Sequence, residues 1–145
     1  MIDPAFVALS LLPIHVWRDV GERLRAGDSP ATALDRVLAD RWPDRLETRF
    51  DLLTRAAEAI ARGARRGLET IAWSDPRYPP SLAAIVDPPP LLWVRGSSGA
   101  FARQAVAIVG SRAASTYALE VAGRLAADLA SRGFAIVSGL ARGVD

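Results

Sequence analysis

The sequence predicts an α/β protein in two parts, a helical domain over residues 1–66 and a strand-containing domain over residues 67–145. Two observations carry this. Residues 4–66 repeat apolar side chains at helical spacing between short joints. Further on, two short apolar runs, Ala105 to Gly110 and Phe134 to Ser138, each stop at glycine and small polar or cationic residues, with one amphipathic helix between them. That order is a parallel βαβ unit. It delivers both strand ends to one edge of the sheet, where open α/β folds bind ligands.

Composition narrows the function classes. A chain of 145 residues holds one ordinary domain or two small ones, and 50% hydrophobic with 23% charged residues is the profile of a soluble globular protein. With no cysteine there is no disulfide framework, no thiolate metal site and no cysteine nucleophile. Ala5 to Leu12 is too short to span a bilayer and lacks a preceding basic segment, so a cytoplasmic protein without a membrane partner is expected. All 18 basic residues are arginine, which genomic base composition suffices to explain. Residues 1–66 carry 11 arginines against 10 acids, and residues 67–145 carry 7 against 6, so any binding surface must be a local cluster.

Taken in order, Pro4 opens a first helix through Phe6, Leu9 and Leu12 to a break at Pro13. A second runs from about His15 to Ala26 with Val16, Val20 and Leu24 on one face. Gly27-Asp28-Ser29-Pro30 is a stop and a start: Ser29 caps the third helix and Pro30 takes its first position. Ala33, Leu34, Val37 and Leu38 form its stripe, and Trp42-Pro43 ends it. A fourth helix follows Phe50, with Leu53, Ala57, Ile60 and Ala64 as its apolar face, to Gly67. Four short helices with tight joints make a small bundle.

Leu68 to Trp73 then reads as a strand, Asp75 to Pro80 as a turn into a short helix through Leu82 and Ile85, and Leu91 to Arg95 as a second strand closed by Gly96 to Gly99. Asp87-Pro88-Pro89-Pro90 cannot continue a helix. In the βαβ unit, Ser115 or Thr116 caps the crossover helix and Gly133 ends it. Ala118, Val121, Ala122, Leu125 and Leu129 are its expected sheet-facing stripe. Glu120, Arg124, Asp128 and Arg132 alternate in sign on the outer face and are expected to pair with one another.

The candidate site lies at the two strand ends. In Gly110-Ser111-Arg112, glycine allows close approach to the backbone, serine supplies a hydroxyl, and Arg112 can donate a forked pair of hydrogen bonds to phosphate. Placed at a helix start, such a segment also offers free amides to an anion. Ser138-Gly139-Leu140-Ala141-Arg142-Gly143-Val144-Asp145 adds two glycines around Arg142, for which pairing with Asp145 one helical turn on is an alternative role. No G-x-G-x-x-G fingerprint and no Walker lysine is present, so neither a dinucleotide nor a P-loop site is expected. His15 stands without a second histidine or a cysteine, which leaves no metal site and no cofactor expected. Trp17, Trp42, Trp73 and Trp93 are expected as core anchors rather than base-stacking platforms.

The order Tyr78-Pro79, Leu82, Ile85, Asp87-Pro88-Pro89-Pro90, Leu92, Arg95-Gly96, then Val106 to Arg112, then Ser138 to Asp145 resembles the DNA-processing protein A family, DprA or Smf. The resemblance covers residues 68–145 and implies an extended Rossmann-like domain that binds single-stranded DNA. It further implies protection of incoming DNA in natural transformation, loading of the recombinase RecA, and a homodimer. No catalytic residue follows from it; Arg112 would contact DNA phosphate, with Gly110, Ser111, Ser138 and Gly139 shaping the pocket floor and Arg142 beside them. The helical start, with Leu9 to Leu12, Asp28-Ser29-Pro30-Ala31 and Leu34, is similar to that family's N-terminal domain of sterile-alpha-motif or helix-hairpin-helix type.

Two departures qualify the resemblance. After Leu12-Pro13 the chain reads Ile14-His15-Val16-Trp17 where a DNA-binding hairpin needs a Gly-x-Gly turn, so the N-terminal domain is expected to be structural or to contact protein. Two parallel strands alone would leave an open edge, so the chain is expected to be the N-terminal portion of a longer protein. The rival readings are a nucleotide-processing phosphoribohydrolase, whose P-G-G-x-G-T motif these 145 residues lack, and a protein-interaction module with a vestigial site.

Overall fold

The computed structural model describes residues 2–43 and 48–145. It divides into two compact units, residues 1–97 and residues 98–145. In the first, helices α1 (Pro4–Ser10), α2 (Trp17–Arg25), α3 (Pro30–Arg41) and α4 (Thr48–Arg65) precede strand β1 (Glu69–Ala72), the short helix α5 (Pro80–Ala83) and strand β2 (Leu91–Val94). In the second, a 3₁₀ turn at Ser98–Ala102 leads to β3 (Ala105–Ala107), α6 (Thr116–Ser131) and β4 (Ala135–Val137).

Local chemistry sets the helix starts. Asp3 accepts from the Ala5 amide at 2.8 Å, and Ser29 from the Thr32 amide at 3.1 Å, with proline next in each helix. Both caps satisfy amides that the first turn would leave unpaired. The segment from Ile14 to Val16 is a 3₁₀ turn that buries Val16 completely and places His15 on the surface.

The helical core is built from Val7, Leu9, Val16, Val20, Leu34 and Val37, each 0–1% exposed. Ala33, Leu34, Val37 and Leu38 are all buried, as their spacing predicts. The expected face of α4 holds in part: Leu53 and Ile60 pack against the core, but Ala57 and Ala64 are exposed, and Leu52, Ala56 and Gly63 are the buried positions. At Gly63 the missing side chain permits close packing. A Cβ on Gly63 would stand 2.4 Å from Cζ3 of Trp93.

β1 and β2 pair antiparallel, with Ile71 opposite Leu92 and Ala72 opposite Leu91. Ala72 and Leu91 belong to the same core cluster as the helices, and the Arg25 guanidinium donates to the Ala83 and Ile85 carbonyls at 3.2 and 2.9 Å. Arg25 also lies over the Trp73 ring, 5.4 Å from its centroid. The first compact unit therefore runs past the expected boundary at residue 66 to residue 97. The turn after β1 is braced by Arg77, which pairs with Asp75 and Glu69 and holds the Asp75 carboxyl down at about 2.

Tyr78 is 5% exposed, and its hydroxyl donates to the Pro89 carbonyl at 2.7 Å. Burial pushes its pKa up from 10.0 to about 12. The folded state thus keeps a proton that the unfolded chain releases first. The associated stability is complete below about pH 10 and is lost as pH rises toward 12. Thermal unfolding of the first unit is expected to shift downward across that interval, and more steeply than in Tyr78→Phe. Parallel pH profiles for the two proteins would remove Tyr78 as the cause.

In the second unit β3 and β4 pair parallel, Ala105 with Ala135, Val106 with Ile136 and Ala107 with Val137. The crossover helix α6 starts at Ser115, whose hydroxyl accepts from the Ala118 amide at 3.2 Å, and ends before Gly133 at φ +90°. The βαβ unit is as expected, but its strands are three residues each and are not fully buried. No residue of this unit is fully buried. The inward face of α6 is Ala118, Ala122, Ala126 and Leu129, whereas Val121 and Leu125 are 44% and 49% exposed. Alanines at the contact let the helix lie close to two short strands, which are too narrow to cover the whole apolar stripe. Of the expected outer-face pairs, Arg124 with Glu120 forms at 2.5 Å, and Asp128 with Arg132 does not. Among the described residues no helix is long and apolar enough to cross a membrane.

Candidate nucleic-acid interface

The ladder of β3 and β4 extends one residue beyond the strands, where the Ile108 amide donates to the Val137 carbonyl at 2.9 Å. Past it the two chain segments turn toward each other. The Gly110 amide donates to Asp145 Oδ1 at 2.9 Å, and the Val144 amide to the Ser111 carbonyl at 3.2 Å. Ser138 Oγ donates to the Asp145 carbonyl at 2.5 Å and accepts from the Leu140 amide at 3.1 Å. Residues 110–112 and 138–145 thus form one double loop.

Glycines make the approach possible. Gly143 has φ +99°, and a Cβ there would stand 2.1 Å from the Ser111 carbonyl oxygen. A Cβ on Gly110 would meet Val144 Cβ at 2.7 Å. Leu140 adopts φ 52° and is 89% exposed. A bulky residue in that region is strained by about 1–2 kcal/mol, and the Ser138 hydroxyl and the Asp145 tie surround the strained turn.

All six residues expected at the site are brought to this double loop, but their roles divide. The Gly110 amide is occupied by the Asp145 carboxylate, and the Ser138 hydroxyl is engaged in both directions. Ser111 Oγ accepts from the Ala113 amide at 3.2 Å, which leaves its proton to donate elsewhere. Gly139 lies against the Asp145 carboxylate, where an added Cβ would be 3.0 Å from Oδ2. Arg112 and Arg142 are both exposed, and neither guanidinium has a hydrogen-bond or ion-pair partner among the described residues. The expectation that Gly110-Ser111-Arg112 opens a helix is corrected, because α6 begins only at Thr116. The alternative pairing of Arg142 with Asp145 is also corrected: no helix forms there, and the carboxylate turns to Gly110 instead.

The tie from Asp145 to Gly110 is what sequence reasoning missed, since it offers Asp145 only as a partner for Arg142. The two oxygen-bearing groups of Asp145 join both motifs across 35 positions, and no local periodicity reports such a tie. The charge balance is informative too. Residues 1–97 hold 13 arginines and 13 acids, while residues 98–145 hold five arginines against three acids, so the net +2 resides in the second unit.

The fold and site therefore define a mixed α/β protein whose parallel strand pair presents two arginines from interlocked loops at one end. A family model described as DNA recombination-mediator protein A matches residues 69–145. The chain belongs to that family, the one its motifs resemble. The DNA processing protein DprA of Bacillus subtilis (strain 168) is 31% identical over 112 residues, 77% of this chain and 37% of that protein. Protein Smf of Escherichia coli (strain K12) is 51% identical over 69 residues, 47% of this chain and 18% of that protein. The chain thus spans little more than a third of the first relative and under a fifth of the second.

Proposed function

We propose that the protein is a recombination mediator that binds single-stranded DNA along the double loop after β3 and β4, and that it works by binding rather than by catalysis. The observation that carries this reading is the pair of exposed guanidiniums of Arg112 and Arg142, without a partner among the described residues, on two loops locked to each other. A single strand offers a row of phosphates, which fixed cations bind with little dependence on sequence. Ser111 supplies a hydroxyl donor; Gly110, Ser138 and Gly139 shape the floor.

Family membership supports DNA as the ligand, and the Bacillus subtilis relative is named a DNA processing protein. In this reading the strand is handed to the RecA recombinase during transformation by a homodimer acting in the cytoplasm. The second unit is then the opening of an extended Rossmann-like sheet. The helical unit is of sterile-alpha-motif or helix-hairpin-helix type and serves structure or protein contact.

Arg112→Ala is expected to weaken binding of a labelled single-stranded oligonucleotide roughly tenfold, the size of a lost charge-assisted contact of about 1.5 kcal/mol. Circular dichroism and melting should be unchanged, because the side chain is exposed and makes no hydrogen bond or ion pair among the described residues. Arg124→Ala serves as the comparison, since its pair with Glu120 is a surface contact. Equal losses in the two variants would mean that the binding surface lies on the helix side instead.

A further inference from the structure

At the end of α4 a cleft of about 230 Å³ is lined by Ala59, Arg62, Gly63, Arg66, Leu68 and Trp93. It lies wholly within the first unit. Because Gly63 has no side chain, the Trp93 ring rests directly on the helix, within 2.4 Å of where a Cβ would be. That packing engages only part of the ring, and Trp93 remains 36% exposed, contrary to its expected role as a core anchor. The guanidinium of Arg66 has no partner among the described residues, and Arg62 meets only Glu58, at 3.3 Å with both side chains more than half exposed. A pair so open to solvent yields readily to a better anion.

The negative end of the α4 dipole opposes an anion here. Three amides blunt it: Arg66 and Leu68 donate to the Gly63 carbonyl, both at 3.0 Å, and Gly67 to the Ala64 carbonyl at 3.1 Å. The dipole gives a structural reason for Arg62 and Arg65 in the last turn. It gives none for an exposed indole beside them.

We infer that this cleft is a second contact for a single strand, in which one nucleobase stacks on Trp93 while Arg62 and Arg66 hold the adjoining phosphates. An aromatic face flanked by cations is the chemistry that single-stranded nucleic acid selects, because every base has a π-face and every link a charge. The inference rests on the ligand class proposed above but not on the double loop as its location.

The test is photocrosslinking of the protein to a thymidine oligonucleotide about a dozen nucleotides long, within the span of small single-strand binders, carrying 5-iododeoxyuridine, with mass-spectrometric mapping. Crosslinks are expected at Trp93. Trp93→Ala and Arg66→Ala should each weaken binding about five- to tenfold, the size of one lost stack or contact, with Trp93→Tyr restoring most of the affinity. Arg66→Ala removes an exposed side chain, so it reports even if Trp93→Ala fails to fold. No crosslink at Trp93, unchanged affinity in Arg66→Ala, or competition by thymidine monophosphate equal to that of the oligonucleotide would each overturn the inference. Run in parallel, Arg112→Ala separates the two sites: a loss there without a Trp93 crosslink defeats only this inference, and a Trp93 crosslink without that loss defeats only the double-loop reading.

Discussion

Gly143→Ala is expected to take the double loop apart. At φ +99° an L-residue is strained by about 1–2 kcal/mol. The new Cβ would also sit 2.1 Å from the Ser111 carbonyl oxygen and 2.8 Å from Arg112 Cα, both backbone atoms that cannot swing aside. Relief requires the two segments to part, which breaks the bond from the Val144 amide to Ser111 and the bond from Gly110 to Asp145. The combined cost is about 3 kcal/mol or more, in the upper range for a single substitution. Hydrogen exchange at the Val144 amide should accelerate by two orders of magnitude or so, and oligonucleotide binding should fall with it. Gly123→Ala is the matched control, since nothing lies within 4 Å of its added Cβ in mid-helix. Retained protection at Val144 in Gly143→Ala would mean that the loops are not locked as described.

The second large effect lies in the other unit. Leu34 of α3 is fully buried in the helical core, and Leu34→Ala is expected to cost about 2–5 kcal/mol through lost transfer energy and the cavity left behind. For a unit of this size that is a drop of more than about 10 °C in melting temperature, read by circular dichroism at 222 nm. Leu140→Ala, at 89% exposure, should leave the melting temperature unchanged. A drop at Leu34 no larger than at Leu140 would place the core elsewhere.

The contrast between these two sites marks what the residues disclose by themselves. Ser29-Pro30, Gly27, Ser115 and Gly133 act within a few residues of themselves, so the helix ends they dictate are read directly from sequence. The stripe of α3 is equally plain, because leucine and valine recur there without competition. In α4 the periodic stripe finds Leu53 and Ile60 but not Gly63, whose value is its smallness against a partner 30 positions away in Trp93. The compact units are divided by contacts that sequence does not show: β1 and β2 are strands by composition and fall within the family match over residues 69–145, yet Ala72 and Leu91 pack into the helical core.

At the site, residue types were legible and connectivity was not. Glycine, serine and arginine after each strand mark the edge where a ligand would bind, and both arginines do stand there exposed. That Asp145 would occupy the Gly110 amide, leaving the guanidiniums as the principal donors, depends on a contact across 35 positions. Likewise Trp93 reads as a core residue by its apolar neighbours, and only its register opposite Thr70 and its seat on Gly63 leave the ring partly open.

The most direct measurement is the salt dependence of single-stranded oligonucleotide affinity for the protein and for the double variant Arg112→Ala/Arg142→Ala. Each phosphate neutralised on a single strand contributes about 0.7 to the slope of log affinity against log salt. If the double loop contributes two such contacts, the slope should become shallower by about 1.4, with the fold and the melting temperature intact. An unchanged slope in a folded double variant would contradict the assignment of Arg112 and Arg142 to the DNA backbone.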